Sequence, residues 1–283
     1  MPQSRLFYVI GHPLGHSMSP FIHGRLFSAR GFEADYSAMD IAPDHLEAEL
    51  TALLKLSGGI NVTIPYKQAV IPFLKELRGR AGLYRSVNTI RIDADGCYGY
   101  NTDADGFLCA LRDGGIPLKG RVALLGCGGV GRTFACEAAL AGCTVVNAVR
   151  ESDRNTAAGL RDSVMKLVPD ASYSITSPDA LEGEFDLLIN ATPVGMYPNR
   201  DAIPVDASVL SHTAAVFDAV YNPAETALLK CAKSNGAKSL GGMPMLVWQA
   251  VAAHEIWHNA AFKPEVVRQL IEDASIEMQR HFS

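Results

Sequence analysis

The segment RVALLGCGGVGRTFACEAALAGCTVVNAVR, residues 121–150, constrains the fold more than any other stretch. Residues 121–125 are an apolar run of strand length, and Gly126, Gly128, Gly129 and Gly131 follow. The spacing predicts a helix from about Val130 to Leu140 and a second strand over TVVNAV. Strand, glycine loop, helix and strand in that order build a parallel βαβ unit, which commits the chain to an α/β fold. Bare backbone in the loop admits a pyrophosphate, and the helix N-terminus presents unpaired N–H groups and the positive end of its dipole. The pattern Gly126-x-Gly128-Gly129-x-Gly131 brings the last glycine one position earlier than the usual dinucleotide spacing. A tight turn serving helix packing alone would use the same glycines, but the flanking strand and helix favour a nucleotide.

Elsewhere strand and helix keep alternating. Residues 5–10 read as a strand, Ser19-Pro20 opens a helix with Ser19 as its cap, and Gly31 closes it. ADYSAMDI, PDHLEAELTALLKL and GINVTIPYKQAV read as strand, helix and strand. NTDADGF is a capped helix start, and FDLLINAT and AAVFDAV continue the parallel sheet. Helices are expected over MPMLVWQAVAAHEIWHNA and from about Pro264 to the end. With 283 residues, the chain holds more than one domain. A net charge of −5 without any block of Lys or Arg excludes a nucleic-acid or membrane surface. No leader or apolar spanning run is evident, and no Cys-x-x-Cys pair occurs among the six cysteines. A cytoplasmic enzyme with free thiols is therefore expected.

Several segments carry candidate chemistry. In GINVTIPYKQAV, Ile60, Val62, Ile64 and Tyr66 alternate with Asn61, Thr63 and Lys67, so one face is buried and the other carries an amide, a hydroxyl and an ammonium. In GHSMSP, Ser17 and Ser19 precede a helix N-terminus and suit a small carboxylate; Ser19 also serves as a cap, whereas Ser17 has no capping role. After TVVNAV, Arg150 and Arg154 stand four apart and clamp a 2′-phosphate if a helical turn starts there, while Glu151 suits a ribose diol. Two arginines against one carboxylate favour NADP, with NAD as the alternative. HEIWH matches the zinc pattern through His254 and His258, with Glu272 or Glu277 as a third ligand. A packed helix with its histidines on a wetter face is the preferred reading, and no metal is expected.

Together HSMSP (16–20), NVTIPYKQ (61–68), SVNTI (86–90), YNTDADGF (100–107), GCGGVGR (126–132), INATPVGM (189–196), FDAVYNP (217–223) and MLVWQA (245–250) resemble the shikimate/quinate 5-dehydrogenases, essentially end to end. The resemblance implies two α/β domains around a cleft, the second a Rossmann-type doubly wound parallel sheet. The first, residues 1–105 completed by 243–283, would bind the acid; the second, 106–242, would bind NAD(P). Lys67 and Asp103 would be the catalytic pair. Ser17 and Ser19 would hold the carboxylate, and Asn61, Thr63, Asn88, Tyr221 and Gln249 would surround the ring hydroxyls with Asp103. Gly126, Cys127, Gly128, Gly129, Val130, Arg150, Arg154, Thr192 and Gly242 would line the cofactor. The implied reaction is hydride transfer between NADP(H) and shikimate/3-dehydroshikimate in aromatic amino acid biosynthesis, by a monomer or homodimer. The alternatives are an NAD-dependent quinate/shikimate dehydrogenase, a paralogue with a related cyclic hydroxy acid, a non-catalytic nucleotide sensor and the zinc hydrolase. Arg85, Ser86, Pro244 and Gly79 depart from the family pattern, as do Val149 and Glu151 beside Arg150.

Overall fold

The computed structural model describes residues 6–15 and 17–282, without the side chains of 281 and 282. Arg5 of the first expected strand and His16 of HSMSP lie outside the described residues. The chain forms two compact units, Met1–Gly106 with Val247–Ala274, and Phe107–Leu246 with Ser275–Ser283. The return to the first unit thus falls inside one helix, Met243–His258, and residues 275–283 group with the second unit.

The first unit runs β1 (Leu6–Gly11), α1 (Ser19–Ala29), β2 (Asp35–Asp40), α2 (Leu46–Leu56), β3 (Gly59–Val62), β4 (Glu76–Leu77), α3 (Arg80–Tyr84), β5 (Thr89–Asp93) and β6 (Gly96–Tyr100). Next, α4 (Asp103–Asp113) begins. The sheet order is β2-β1-β3-β5-β6-β4. Strands β2, β1 and β3 are parallel, whereas β5 pairs antiparallel with both β3 and β6. One face packs Ile10, Ile60, Val62 and Ile90 against Leu46, Leu50 and Leu53 of α2. The other packs Phe7 against Phe27 of α1 and Trp257.

Strand β3 is therefore buried on both faces, and the polar row expected along GINVTIPYKQAV does not form. The strand ends at Val62 because Pro65 brings no N–H to a ladder, and the chain turns instead. Ile64, expected inside, is 68% exposed, while Asn61, expected on an open face, is 5% exposed. Helix α1 also starts differently. Met18 is its N-cap and makes no side-chain capping bond, and Ser19 is the first helical residue.

In the second unit β7 (Arg121–Leu125), α5 (Gly129–Leu140), β8 (Thr144–Ala148), α6 (Arg154–Leu167), β9 (Tyr173–Thr176), β10 (Leu187–Asn190), α7 (Ala207–Leu210), β11 (Ala215–Asp218), α8 (Ala227–Ser234) and β12 (Lys238–Leu240) follow in turn. All strand pairs are parallel, in the order β12-β11-β10-β7-β8-β9. The first strand of this set, β7, lies beside the fourth, which is the doubly wound dinucleotide order with its switch point between β7 and β10. The chain ends with α9 (Met243–His258) and α10 (Pro264–Phe282). Among the described residues no helix is long and apolar enough to cross a membrane.

Candidate active site

Lys67 lies in the turns after β3. The backbone there is pinned by the buried Tyr66, whose hydroxyl donates to Ile41 O, and by Val87 N, which donates to Lys67 O at 2.7 Å. Its Nζ donates to Asp103 Oδ2 at 2.6 Å, and the two side chains are 18% and 11% exposed. Asp103 is the first residue of α4, and its N–H donates to Asn101 Oδ1 at 3.1 Å, an Asx-type cap. Asn88, at the end of the segment leading into β5, orients the acid: its Nδ2 donates to Asp103 Oδ1 at 2.9 Å and lies 3.3 Å from Gln249 Oε1. The Asn88 Oδ1 is held in turn by Thr102 N at 2.7 Å. Charged hydrogen-bond partners in a half-dry setting bind more strongly than neutral ones, so the pair is fixed before any ligand arrives.

Asn61 is also committed. Its Oδ1 accepts from Tyr36 Oη at 2.7 Å, and its Nδ2 faces Asn88 O at 3.2 Å and Thr89 Oγ1 at 3.1 Å. A buried amide left unpaired would cost about 1–3 kcal/mol, and these contacts remove that penalty. Tyr36 stacks on His23 of α1, and burial pushes its phenol well above the ordinary range. Ser17 Oγ accepts from Ser19 N at 3.2 Å. Ser17 therefore has the capping role that sequence reasoning gave to Ser19, and among the described residues its hydroxyl hydrogen has no acceptor. Half-buried Thr63 follows the end of β3. The structure thus links Asn61, Lys67, Asn88, Asp103 and Gln249 by hydrogen bonds within the first unit, and joins Ser17 to Ser19 at the start of α1. Tyr36, Thr89, Asn101 and Thr102 were missed. Only Asn101 left a sequence signal, as a cap two residues before Asp103.

In the second unit the glycines divide by role. Gly126 has φ +92°, and Gly131 is so close to the loop that an added Cβ would lie 3.2 Å from Gly126 O. At Gly128 and Gly129 an added Cβ would meet nothing within 4 Å. Their bareness serves no packing, and the exposed space in front of α5, whose N-cap has no side-chain partner, fits a pyrophosphate. Asn147 of β8 holds the loop by donating to Gly126 O at 2.9 Å. Cys127 donates weakly to Asp153 O, and Val130 lies in the first turn of α5. Thr192 Oγ1 donates to Asn190 Oδ1 at 2.7 Å and accepts from Val194 N. Gly242 has a steric reason of its own, since a Cβ there would overlap Ala219 O. Tyr221 follows β11, whose end is tied by Asp218 to Thr226, Asn190 and Val220 N. Burial raises the pKa of both Tyr221 and Asp218.

The two arginines expected at a 2′-phosphate are already paired. Arg150 meets Asp153 at 2.8 Å and Arg154 meets Glu151 at 2.8 Å. A short 3-10 turn over Glu151–Asp153 leads into α6, so the helical turn begins one residue after Arg150.

HEIWH does not form a wetter face. His254 is 1% exposed, because its side of α9 packs on α1. Its Nε2 lies 3.1 Å from His23 Nδ1, and His23 stacks on Tyr36 with centroids 4.2 Å apart. Burial lowers His23 to about 3 and His254 well below its ordinary value. Among the described residues no group of three or more His, Cys, Asp or Glu is placed to hold a metal ion.

Residues 9–90 match the family described as the shikimate dehydrogenase substrate binding domain. A shikimate dehydrogenase (NADP(+)) of Carboxydothermus hydrogenoformans is 34% identical over 272 residues, covering 95% of this chain and 97% of that one. The shikimate 5-dehydrogenase of Thermus thermophilus, in complex with NADP(H) and shikimate, has TM-score 0.84 at 34% identity and covers 95% of this chain and 99% of that one. The ligand-free 5-ketofructose reductase of a Gluconobacter species has TM-score 0.80 at 30% identity and covers 96% and 99%. With near-complete mutual coverage joined to the paired Lys67 and Asp103 and an open glycine loop, the chain belongs to the shikimate dehydrogenase family.

Proposed function

We propose that the protein is an NADP-dependent shikimate dehydrogenase that interconverts shikimate and 3-dehydroshikimate for aromatic amino acid biosynthesis in the cytoplasm. The observation that carries this reading is the Lys67–Asp103 pair at 2.6 Å, oriented by Asn88. Oxidation of a ring alcohol removes a hydride from carbon and a proton from oxygen. Bound NADP supplies the hydride chemistry, as acceptor in one direction and donor in the other. Lys67 handles the proton: the amine takes it from the hydroxyl, and the ammonium returns it to the carbonyl oxygen on reduction. Asp103 stabilises the ammonium and fixes Nζ, leaving its other hydrogens for the substrate oxygen. Ser17, at the start of α1, offers a hydroxyl and helix N–H groups to the ring carboxylate. Gly128, Gly129 and Val130 would receive the pyrophosphate, while Arg150 and Arg154 would exchange their carboxylates for the 2′-phosphate.

The likeness to a 5-ketofructose reductase favours a second reading, in which the substrate is a neutral ketose. Steady-state rates with shikimate, quinate and 5-ketofructose, each with both NAD and NADP forms, separate the readings. The first expects shikimate with NADP+ to give the highest kcat/KM; a higher value with NADPH and the ketose would replace it.

A further inference from the structure

We propose that Asn190 is a positioning residue that turns the Thr192 hydroxyl into an acceptor-only contact for the coenzyme, so that Thr192 reads an O–H or N–H of the nicotinamide half and rejects a phosphate oxygen. This rests on the functional reading above. Asn190 ends β10 and is fully buried, as is Asp218 at the end of the neighbouring β11. A backbone N–H can only donate, and two of them fix the direction of the bonds here. Val220 N donates to Asp218 Oδ1 at 3.0 Å, so that oxygen is an acceptor, and Asn190 meets it with Nδ2 at 2.9 Å. Thr192 N donates at 3.0 Å to the other end of the amide, which is therefore Oδ1. An amide oxygen has no hydrogen to give, so the Thr192 hydroxyl, 2.7 Å away, must donate to it.

A threonine hydroxyl has one hydrogen and two lone pairs. The hydrogen is spent on Asn190, and Val194 N takes one lone pair at 3.2 Å. Among the described residues no donor takes the second, and Thr192 is only half-buried. The side chain also stands at the nucleotide loop: its methyl carbon lies 2.9 Å from the place that a Cβ on Gly126 would occupy. In the sheet, β10 lies beside β7 on the side away from β8. A coenzyme with its pyrophosphate before α5 and its 2′-phosphate by Arg150, just after β8, therefore carries its nicotinamide half toward β10. That half brings ribose O–H and carboxamide N–H donors, which suit the remaining lone pair. A phosphate oxygen, itself an acceptor, does not.

The experiment measures calorimetric affinities for NADP, 2′-phospho-ADP-ribose and 2′-phospho-ADP, a series that drops first the nicotinamide and then its ribose. Thr192→Val should weaken NADP binding about tenfold, the effect of one lost hydrogen bond, and Thr192→Ser should keep wild-type affinity. With 2′-phospho-ADP, which retains the phosphates, wild type and Thr192→Val should bind equally. A Thr192→Val penalty with 2′-phospho-ADP-ribose assigns the donor to a ribose hydroxyl, and its loss there assigns it to the carboxamide; both fit the proposal. A tenfold penalty that persists with 2′-phospho-ADP makes Thr192 a phosphate contact and overturns it, as does unchanged NADP affinity in Thr192→Val. Asn190→Ala frees the hydroxyl to turn, so Thr192→Val should cost less in that background, and an equal cost rejects the role of Asn190. Should Asn190→Ala fail to fold, the ligand series with Thr192→Val decides. Wild type that binds no NADP rejects the functional reading, whereas wild type that binds NADP with an indifferent Thr192→Val rejects this inference alone.

Discussion

At the scale of single residues, the placement of Lys67 decides what its replacement does. The ammonium is held by one carboxylate, which leaves further N–H donors for a ligand oxygen. Lys67→Ala should therefore lower kcat by about 10²–10⁴-fold, the usual range for a lost proton-transfer group, with KM for shikimate changed only slightly. Single-turnover and steady-state rates check this, and a variant with wild-type kcat would reduce Lys67 to a surface cation. Lys67 and Asp103 were legible because a motif carried each. Tyr36 was not, since it sits in ADYSAMDI as one apolar position among alternating residues. Its partners, His23 and Asn61, lie in two other elements. Asp153 was passed over for a local reason: the short turn after β8 brings it back onto Arg150, three residues earlier.

At the scale of elements, the loop between β7 and α5 offers a test that separates ligand from packing. Gly129 lies at the helix start with open space beside it, so Gly129→Ala should leave stability unchanged or raise it by about 0.4–1 kcal/mol through the unfolded state. The same methyl would occupy the space proposed for the pyrophosphate, and NADP affinity should fall at least about tenfold. Gly131→Ala should do the reverse in stability, since its methyl presses on Gly126 O. Denaturant midpoints and calorimetric NADP titrations distinguish the two. Equal behaviour of both variants would remove the ligand reading of Gly129. The βαβ unit itself was readable because buried parallel strands are short apolar runs bounded by glycine. β3 was overextended because alternation continued past Val62, although Pro65 already argued against a ladder. The β5–β6 hairpin went unseen because its strands mix Thr, Arg, Asp, Tyr and Gly, and their order in the sheet is fixed by long-range pairing.

Across the whole molecule, the histidines packed between α1 and α9 set a pH limit on stability. An unfolded histidine titrates near about 6.5. Folded His23 does so at about 3, because burial disfavours its charge. Between those values the unfolded chain holds a proton there that the folded chain does not. Stability therefore falls as pH falls through that window, by about 1.4 kcal/mol per pH unit for one such group. His254 and His258 shift in the same direction, again chiefly by burial, with the charge of Arg30 adding to both. Urea midpoints measured from pH 7 to pH 4 should decline more steeply for wild type than for His23→Phe. Parallel curves would mean that carboxylates elsewhere dominate.

The pairing of Arg150 with Asp153 and Arg154 with Glu151 bears on how the cofactor is chosen. Two guanidiniums set against two carboxylates leave this stretch electrically neutral at a distance. A doubly charged 2′-phosphate, if it binds there as proposed, would gain no long-range pull from it and would be read only on contact, when it displaces the two carboxylates. Such exposed pairs are worth about 0–1 kcal/mol each, so displacement costs little. An unpaired arginine patch would act as a beacon whose reach shrinks with the Debye length. Here the ratio of NADP to NAD kcat/KM should stay nearly constant between low and physiological ionic strength. In a Glu151→Gln, Asp153→Asn double variant it should start higher and decline with added salt. The protein would then keep one coenzyme preference across the range of salt its surroundings impose.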